Sequence, residues 1–193
     1  INTINAMKKV KGLKIDEIEY TKKPVGVEIT IDNGISSGNI KNPIELIEAA
    51  QKLIQKGCNS IAIVCFFNED AEDEAYSNAE GIDPIGGVEA IISHLITKTF
   101  KLPSAHAPAF LDIDISEKIE NPKVASELIS STYLPCILDG LSIAPDIKNF
   151  EDGEITYKDV DYLIVPYDAM GSIAVLSSIA KGVKVIAVKN ETV

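Results

Sequence analysis

The sequence predicts an α/β fold, a mostly parallel, twisted sheet with helices on both faces, Rossmann-like in its three layers. Three observations predict it. Short apolar runs of strand length alternate with stretches of helical period. Helix starts are announced by Asn42–Pro43, Asp83–Pro84 and Asn121–Pro122, each a polar cap before a proline at the first helical position. Apolar residues make up 46% of the chain and charged ones 24%, a balance that forms a core. One α/β domain over residues 1–193 is expected. Because the chain opens on Ile1, it is read as the C-terminal part of a longer protein.

In order, "PVGVEITI" (24–31) alternates Val25, Val27, Ile29 and Ile31 and reads as a strand. "DNGISSGN" (32–39) reads as a polar loop. "NPIELIEAAQKLIQKG" reads as a helix with Leu46, Ile47, Ala50, Leu53 and Ile54 on one stripe and Gly57 past its end. "SIAIVCFF" (60–67) reads as a strand buried on both faces, and "NEDAEDEAYSNAEG" (68–81) as an acidic loop. A second helix carries Ile85, Val88, Ile91, Ile92, Leu95 and Ile96. Gly86 and Gly87 in its first turn cost stability, which implies a close approach there. A third helix opens at Asn121–Pro122. "LPCILDG", "DYLIVPY" (161–167) and "VKVIAV" (183–188) read as strands. "SIAVLSSIAKG" (172–182) reads as a helix apolar nearly all round, hence well covered.

The chain carries 18 lysines, no arginine and 29 acidic residues, for a net charge of −11. Such a balance argues against a nucleic-acid partner, which needs a basic surface. Without arginine, an anionic ligand falls to lysine or to backbone N–H groups at helix starts. No apolar run approaches the ~18 residues of a membrane span, so no membrane partner is expected. No secretory signal opens the sequence. Cys58, Cys65 and Cys136 suggest no disulfide framework, and a reducing, cytoplasmic location is expected.

Ligands in parallel sheets bind outside the carboxyl ends of strands. That rule selects the segment with Asn68, Glu69 and Asp70, the one with Tyr167 and Asp168, and "SAHAP" if it lies at a strand end. His106 sits there between small residues, with Pro108 restricting the backbone before it. It reads as an acid/base or metal-ligating imidazole, or else as a histidine hydrogen-bonded in a loop. His94 reads as a residue flanking a helix end. The two histidines lie twelve apart in no metal-ligand pattern, so no metal site is assigned. The five carboxylates of "EDAEDE" lack the spacing of a calcium loop and read as a solvated stretch. Cys136, between Pro135 and Ile137, reads as a buried, inert thiol, and Cys65 as core. Gly171–Ser172 opens a helix and is the better candidate seat for an anion. No motif names a cofactor.

"GIDPIGGVEAIISHLI", "PSAHAPAF", "YLPCILDGLSIAP" and "LIVPYDAMGS" together resemble an uncharacterised family, domain of unknown function 3326, found in bacteria and photosynthetic lineages. The resemblance runs from about residue 24 to the end. It implies relatives longer at the amino end. Family members often carry arginine where this chain has Ile143, and more Cys and Gly where it has "DAMGS". The family has no established activity, so the resemblance implies a fold and a focus on His106 rather than a reaction.

The expected function is small-molecule binding at the carboxyl edge of the sheet. In a catalytic version His106 is acid/base, Asp168 orients it, and Asn68, Gly171 and Ser172 bind the ligand. The competing reading is a non-catalytic structural or assembly protein, homo-oligomeric through an apolar face.

Overall fold

In the computed structural model, residues 1–67, 82–109, 119, 121–122, 125, 133–149 and 151–189 are described, and their strands pair two by two. The chain divides into two compact units, Ile1–Ile147 and Lys148–Val193.

The first unit opens with helix α1 (Asn2–Lys11), which stops at Gly12 in the left-handed region. Strands β1 (Val27–Asp32) and β2 (Ile35–Ile40) form an antiparallel hairpin. This corrects the expected loop over 32–39. Asn33 and Gly34 both take positive φ, 50° and 74°, which is the backbone a tight two-residue hairpin turn demands. The polar sequence of β2 hid the strand, although Asn-Gly marked the turn.

Helix α2 (Pro43–Gln55) starts at the expected proline, and Gly57 follows its end with φ 95°. Asn42 does not cap it through its side chain. Its amide instead donates to the Pro24 carbonyl at 3.2 Å, tying the preceding segment to the helix start. Strand β3 (Ile61–Cys65) follows, with Ile61, Ile63 and Cys65 buried. The opposite face is not covered as expected, since Val64 is half exposed.

Helix α3 (Gly86–Phe100) crosses from β3 to strand β4 (Ser104–Pro108), which pairs with β3 in parallel. This is a βαβ unit. Val88, Ile92 and Ile96 form the buried stripe of α3. Ile92 and Ile96 meet Ala50, Ile61, Ile63, Cys65 and Leu102 in the core. Ile96 is almost wholly buried, so truncating it to Ala would cost about 2–5 kcal/mol.

The close approach expected at Gly87 is a strand. A Cβ there would overlap the Ser36 carbonyl of β2. The contact is fastened by Gly87 N–H donating to Ser36 Oγ at 3.0 Å and Ser36 O–H donating to the Pro84 carbonyl at 2.8 Å. Asp83 Oδ1 accepts from Ile85 N–H at 2.9 Å and holds the turn before α3.

"LPCILDG" is not a strand but most of helix α4 (Leu134–Ser142). Pro135 stands in its first turn, and Leu134, Leu138 and Leu141 recur at helical spacing. Pro122 and Ala125 are helical as expected; the rest of that predicted helix, and the acidic stretch 68–81, lie outside the described residues.

The second unit holds another βαβ unit. Strand β5 (Tyr162–Pro166) and strand β6 (Lys184–Val188) pair in parallel, joined through helix α5 (Ile173–Ala180). A reciprocal capping box between Thr156 and Asp159 fixes the turn before β5. Helix α5 buries Val175 but leaves Ile173, Leu176 and Ile179 exposed, which corrects the expectation that it is covered.

The α/β class therefore stands, with two of the three strand pairs parallel. The described strands form three two-stranded sheets rather than one continuous sheet. Among the described residues no helix is long and apolar enough to cross a membrane.

Candidate functional site

His106 lies at the centre of β4, paired with Ile63 of β3, and not in a loop beyond a strand end. This corrects the placement expected from the sequence. Alternation along β4 turns Ser104 and His106 to one face, toward α3. Ser104 O–H donates to the Ser93 carbonyl at 3.2 Å, and His106 Nδ1 lies 2.9 Å from Ser93 Oγ. Ala107, on the other face, is fully buried.

Two residues of α3 complete the site. Glu89 and Ser93 are both buried, at 7% and 6% exposure, within the stripe that also holds Val88, Ile92 and Ile96. They sit four apart and so project from one face. The Glu89 carboxylate approaches His106 Nε2 at 3.6 Å. That is ion-pair range but longer than a hydrogen bond.

The contacts assign the tautomer. A ring nitrogen facing a carboxylate carries the proton, so Nε2–H points to Glu89. Nδ1 then bears the lone pair and accepts from Ser93 O–H. Ser93 has backbone carbonyls of Glu89 and Ala90 as its other acceptors, both at 3.4 Å, the limit of bonding distance. Burial lowers the His106 pKa below the ordinary histidine value, His94 adds to the effect, and Asp83 opposes it. The imidazole is neutral at pH 7 and retains partial solvent access, with 26% of its side chain exposed.

Cys65 on β3 lies in the field of the same carboxylate. Burial, and then the Glu89 charge, push its thiol up to about 12. It is a protonated core residue, as expected. Cys136 is not buried, because α4 turns it outward. His94 is exposed on α3 and acts on His106 only through its charge.

The other expected site residues fall elsewhere. Asn68 lies outside the described residues. Asp168 stands in a short 3-10 turn, Tyr167–Ala169, directly after β5, so the strand-end rule placed it correctly within its own unit. Gly171 and Ser172 precede α5, and Ser172 Oγ accepts from Val175 N–H at 3.3 Å. That hydroxyl caps its own helix. His106 belongs to the first unit, and Asp168, Gly171 and Ser172 to the second. The partners seen on the ring are Ser93 and Glu89.

Glu89 and Ser93 were missed by sequence reading, yet a signal existed. Both fall on the apolar stripe of α3, where a polar residue has to find a partner or lose stability.

The sequence model of a family described as "Protein of unknown function (DUF3326)" matches residues 1–193. The chain belongs to this family. The match reaches the first residue, further than the quoted phrases carry the resemblance. An uncharacterised lipoprotein of Synechococcus sp. is 36% identical over 184 residues, which is 92% of this chain and 51% of that protein. The chain thus spans about half the length of the curated relative it matches. No solved structure matches it. The relative's name as a lipoprotein runs against the cytoplasmic location expected from the cysteines, and that expectation is withdrawn.

Proposed function

We propose that this DUF3326 domain binds a small molecule at His106 and that the imidazole exchanges a proton with it. The observation that carries the reading is the Ser93–His106–Glu89 row. A buried hydroxyl and a buried carboxylate take the two ring nitrogens and leave the ring itself partly open to solvent. This geometry fixes tautomer and orientation before any ligand arrives, as acid/base chemistry requires. Nε2–H is the atom offered. Its contact with Glu89 is longer than a hydrogen bond, so an acceptor on a ligand can compete for that N–H; proton transfer to the ligand starts from the protonated ring, which Glu89 stabilises, and leaves a neutral imidazole with its remaining N–H at Nδ1, facing Ser93 Oγ.

Ser93 is the positioning hydroxyl rather than the nucleophile, since it is buried beneath the ring it orients. The strand-end residues Asp168, Gly171 and Ser172 are a separate set of candidate ligand contacts within the second unit, supported by their place after a parallel strand. Two βαβ crossovers support a Rossmann-like arrangement as the frame. The lipoprotein name of the Synechococcus relative supports a lipid-anchored location for this protein as well.

The test is a thermal-shift panel of metabolites, nucleotides and divalent metals on the wild type and on His106→Gln. A ligand at ~100 times its dissociation constant adds about 2.7 kcal/mol, a readable shift. A hit weakened in His106→Gln supports the site; hits retained in full refute it. A second reading, a homo-oligomeric assembly, is favoured by the exposed Ile173, Leu176 and Ile179 of α5. Light scattering on the wild type and on Leu176→Lys tests it: a dimer converted to monomer supports assembly.

A further inference from the structure

Residues 13–24 form no helix or strand, yet they are closely tied down. Leu13, Ile15, Glu17, Glu19 and Thr21 are half-buried while the residues between them are exposed, so the segment runs as a strap with one edge inward. Helix α2 holds it at two places. Near one end of the helix, the Lys22 and Lys23 N–H groups donate to one oxygen of Glu45 at 3.0 and 3.1 Å. Toward the other, Lys56 Nζ lies 2.8 Å from Glu17 and 2.7 Å from Glu19, with Lys52 3.5 Å from Glu19.

Beneath the strap is a cleft of about 670 Å³. Leu46 and Leu53 of α2 and Ile63 of β3 line it, as do Leu138 and Leu141 of α4. Protein interiors are packed at crystal density and leave few voids larger than a water molecule. An apolar space of this size is instead within the range of small-molecule sites, ~300–1,000 Å³. The lining is mostly apolar, with its polar and charged groups at the rim, which suits a largely apolar guest. His106 is not among the lining residues, so this space is separate from the site proposed above.

The rim decides the chemistry of the guest. Lys56 and Lys52 are answered by Glu17 and Glu19, and Lys14 and Asp16 add one charge of each sign. A charged ligand would leave water without finding an uncompensated counter-charge, which is costly. We infer that the cleft under the 13–24 strap binds an uncharged, largely apolar small molecule.

The experiment titrates the chain with Nile red, a neutral apolar fluorophore, and then displaces it with dodecan-1-ol, dodecanoate or dodecylammonium. Saturable one-to-one binding is expected, with the alcohol displacing at least tenfold more effectively than either ion. Methyl NMR on the wild type with dodecan-1-ol should move Leu46, Leu53, Leu138 and Leu141. Ala49→Phe, which fills the lining from α2, should weaken the alcohol at least tenfold. The wild-type NMR stands whether or not that variant folds. No saturable binding, equal displacement by the ions, or methyl shifts confined to other residues would overturn the inference.

Discussion

Removing the Ser93 hydroxyl tests the row at His106 most directly. Ser93→Ala deletes the donor to Nδ1 and leaves a half-buried imidazole nitrogen without its 2.9 Å partner. An acceptor left unsatisfied in this way costs about 1–3 kcal/mol. Alanine returns about 0.5 kcal/mol through its higher helix propensity at a mid-helix position. A net loss of roughly 0.5–2.5 kcal/mol is expected in urea unfolding. The single variant alone is ambiguous, because Ser93 also approaches two backbone carbonyls. A double-mutant cycle with His106→Ala removes that ambiguity, since the helix term cancels. The two carbonyls lie at 3.4 Å, too far to replace the lost contact well, so a coupling of about 1 kcal/mol or more is expected. Nitrogen-15 NMR of the ring should show the Nε2–H tautomer in the wild type and a growing Nδ1–H population in Ser93→Ala. Additive losses within about 0.3 kcal/mol, with an unchanged tautomer, would refute the row as a functional arrangement.

Four further outcomes follow from the same structure. The His106 pKa is lowered in the folded chain, so the unfolded chain binds the extra proton between its own pKa near 6.5 and the lower folded value. Stability contributed by the neutral ring is therefore complete above pH 6.5 and lost as pH falls toward the folded pKa; His106→Gln should flatten that limb of a pH–stability curve. Gly87→Ala forces a methyl onto the Ser36 backbone and should cost about 1–3 kcal/mol, whereas Gly140→Ala, with open space around it in α4, should gain up to about 1 kcal/mol. Denaturant midpoints of the two variants should move in opposite directions. Cys136 should be the first thiol to react with a disulfide reagent at pH 8, a phase lost in Cys136→Ser, while Cys65 should react only on unfolding. Lys56→Ala should speed amide hydrogen exchange across residues 13–24, and ~1 M salt should produce much the same effect in the wild type by screening the same pairs.

Which parts of this protein could be read from sequence depends on where each signal is stored. Helices α2, α3 and α5 were legible because their signals are local: Pro43 and Gly57 bracket α2 without reference to anything distant. Strand β2 was hidden because Ser36 and Gly38, on its inward face, are selected by the helix they pack against, while Ser37 and Asn39 between them face outward and are polar. Gly87 is small so that α3 can approach β2, and Gly38 because a Cβ there would overlap the Glu28 carbonyl of β1 and crowd Val88 of α3, reasons that exist only in three dimensions. Helix α4 was misread because "LPCIL" satisfies a buried strand as well as a helix over so short a span, and Leu141, which separates them, lies beyond it.

His106 was singled out for a partly wrong reason. The strand-end rule pointed to its segment, but the imidazole stands at the centre of β4, where ladder pairing with Ile63 fixes its backbone. That difference bears on function. A loop histidine is positioned by a few turn contacts and can drift, whereas a mid-strand one inherits the rigidity of the sheet, and its direction is set by alternation. The cost is that its partners come from whichever helix covers that face, not from neighbouring loops. Glu89 and Ser93 are therefore partners selected by the β3–α3–β4 crossover itself. A buried carboxylate and hydroxyl on an otherwise apolar stripe destabilise the helix interface unless they are satisfied, and the histidine meets both from one strand position. Replacing the whole row at once, with Glu89→Leu, Ser93→Ala and His106→Val in a single chain, tests what it is kept for. If the chain folds at least as stably with that apolar row, packing alone cannot explain it, and proton chemistry at His106 is what remains. If the apolar chain is much less stable, the row is structural and the proposed site fails.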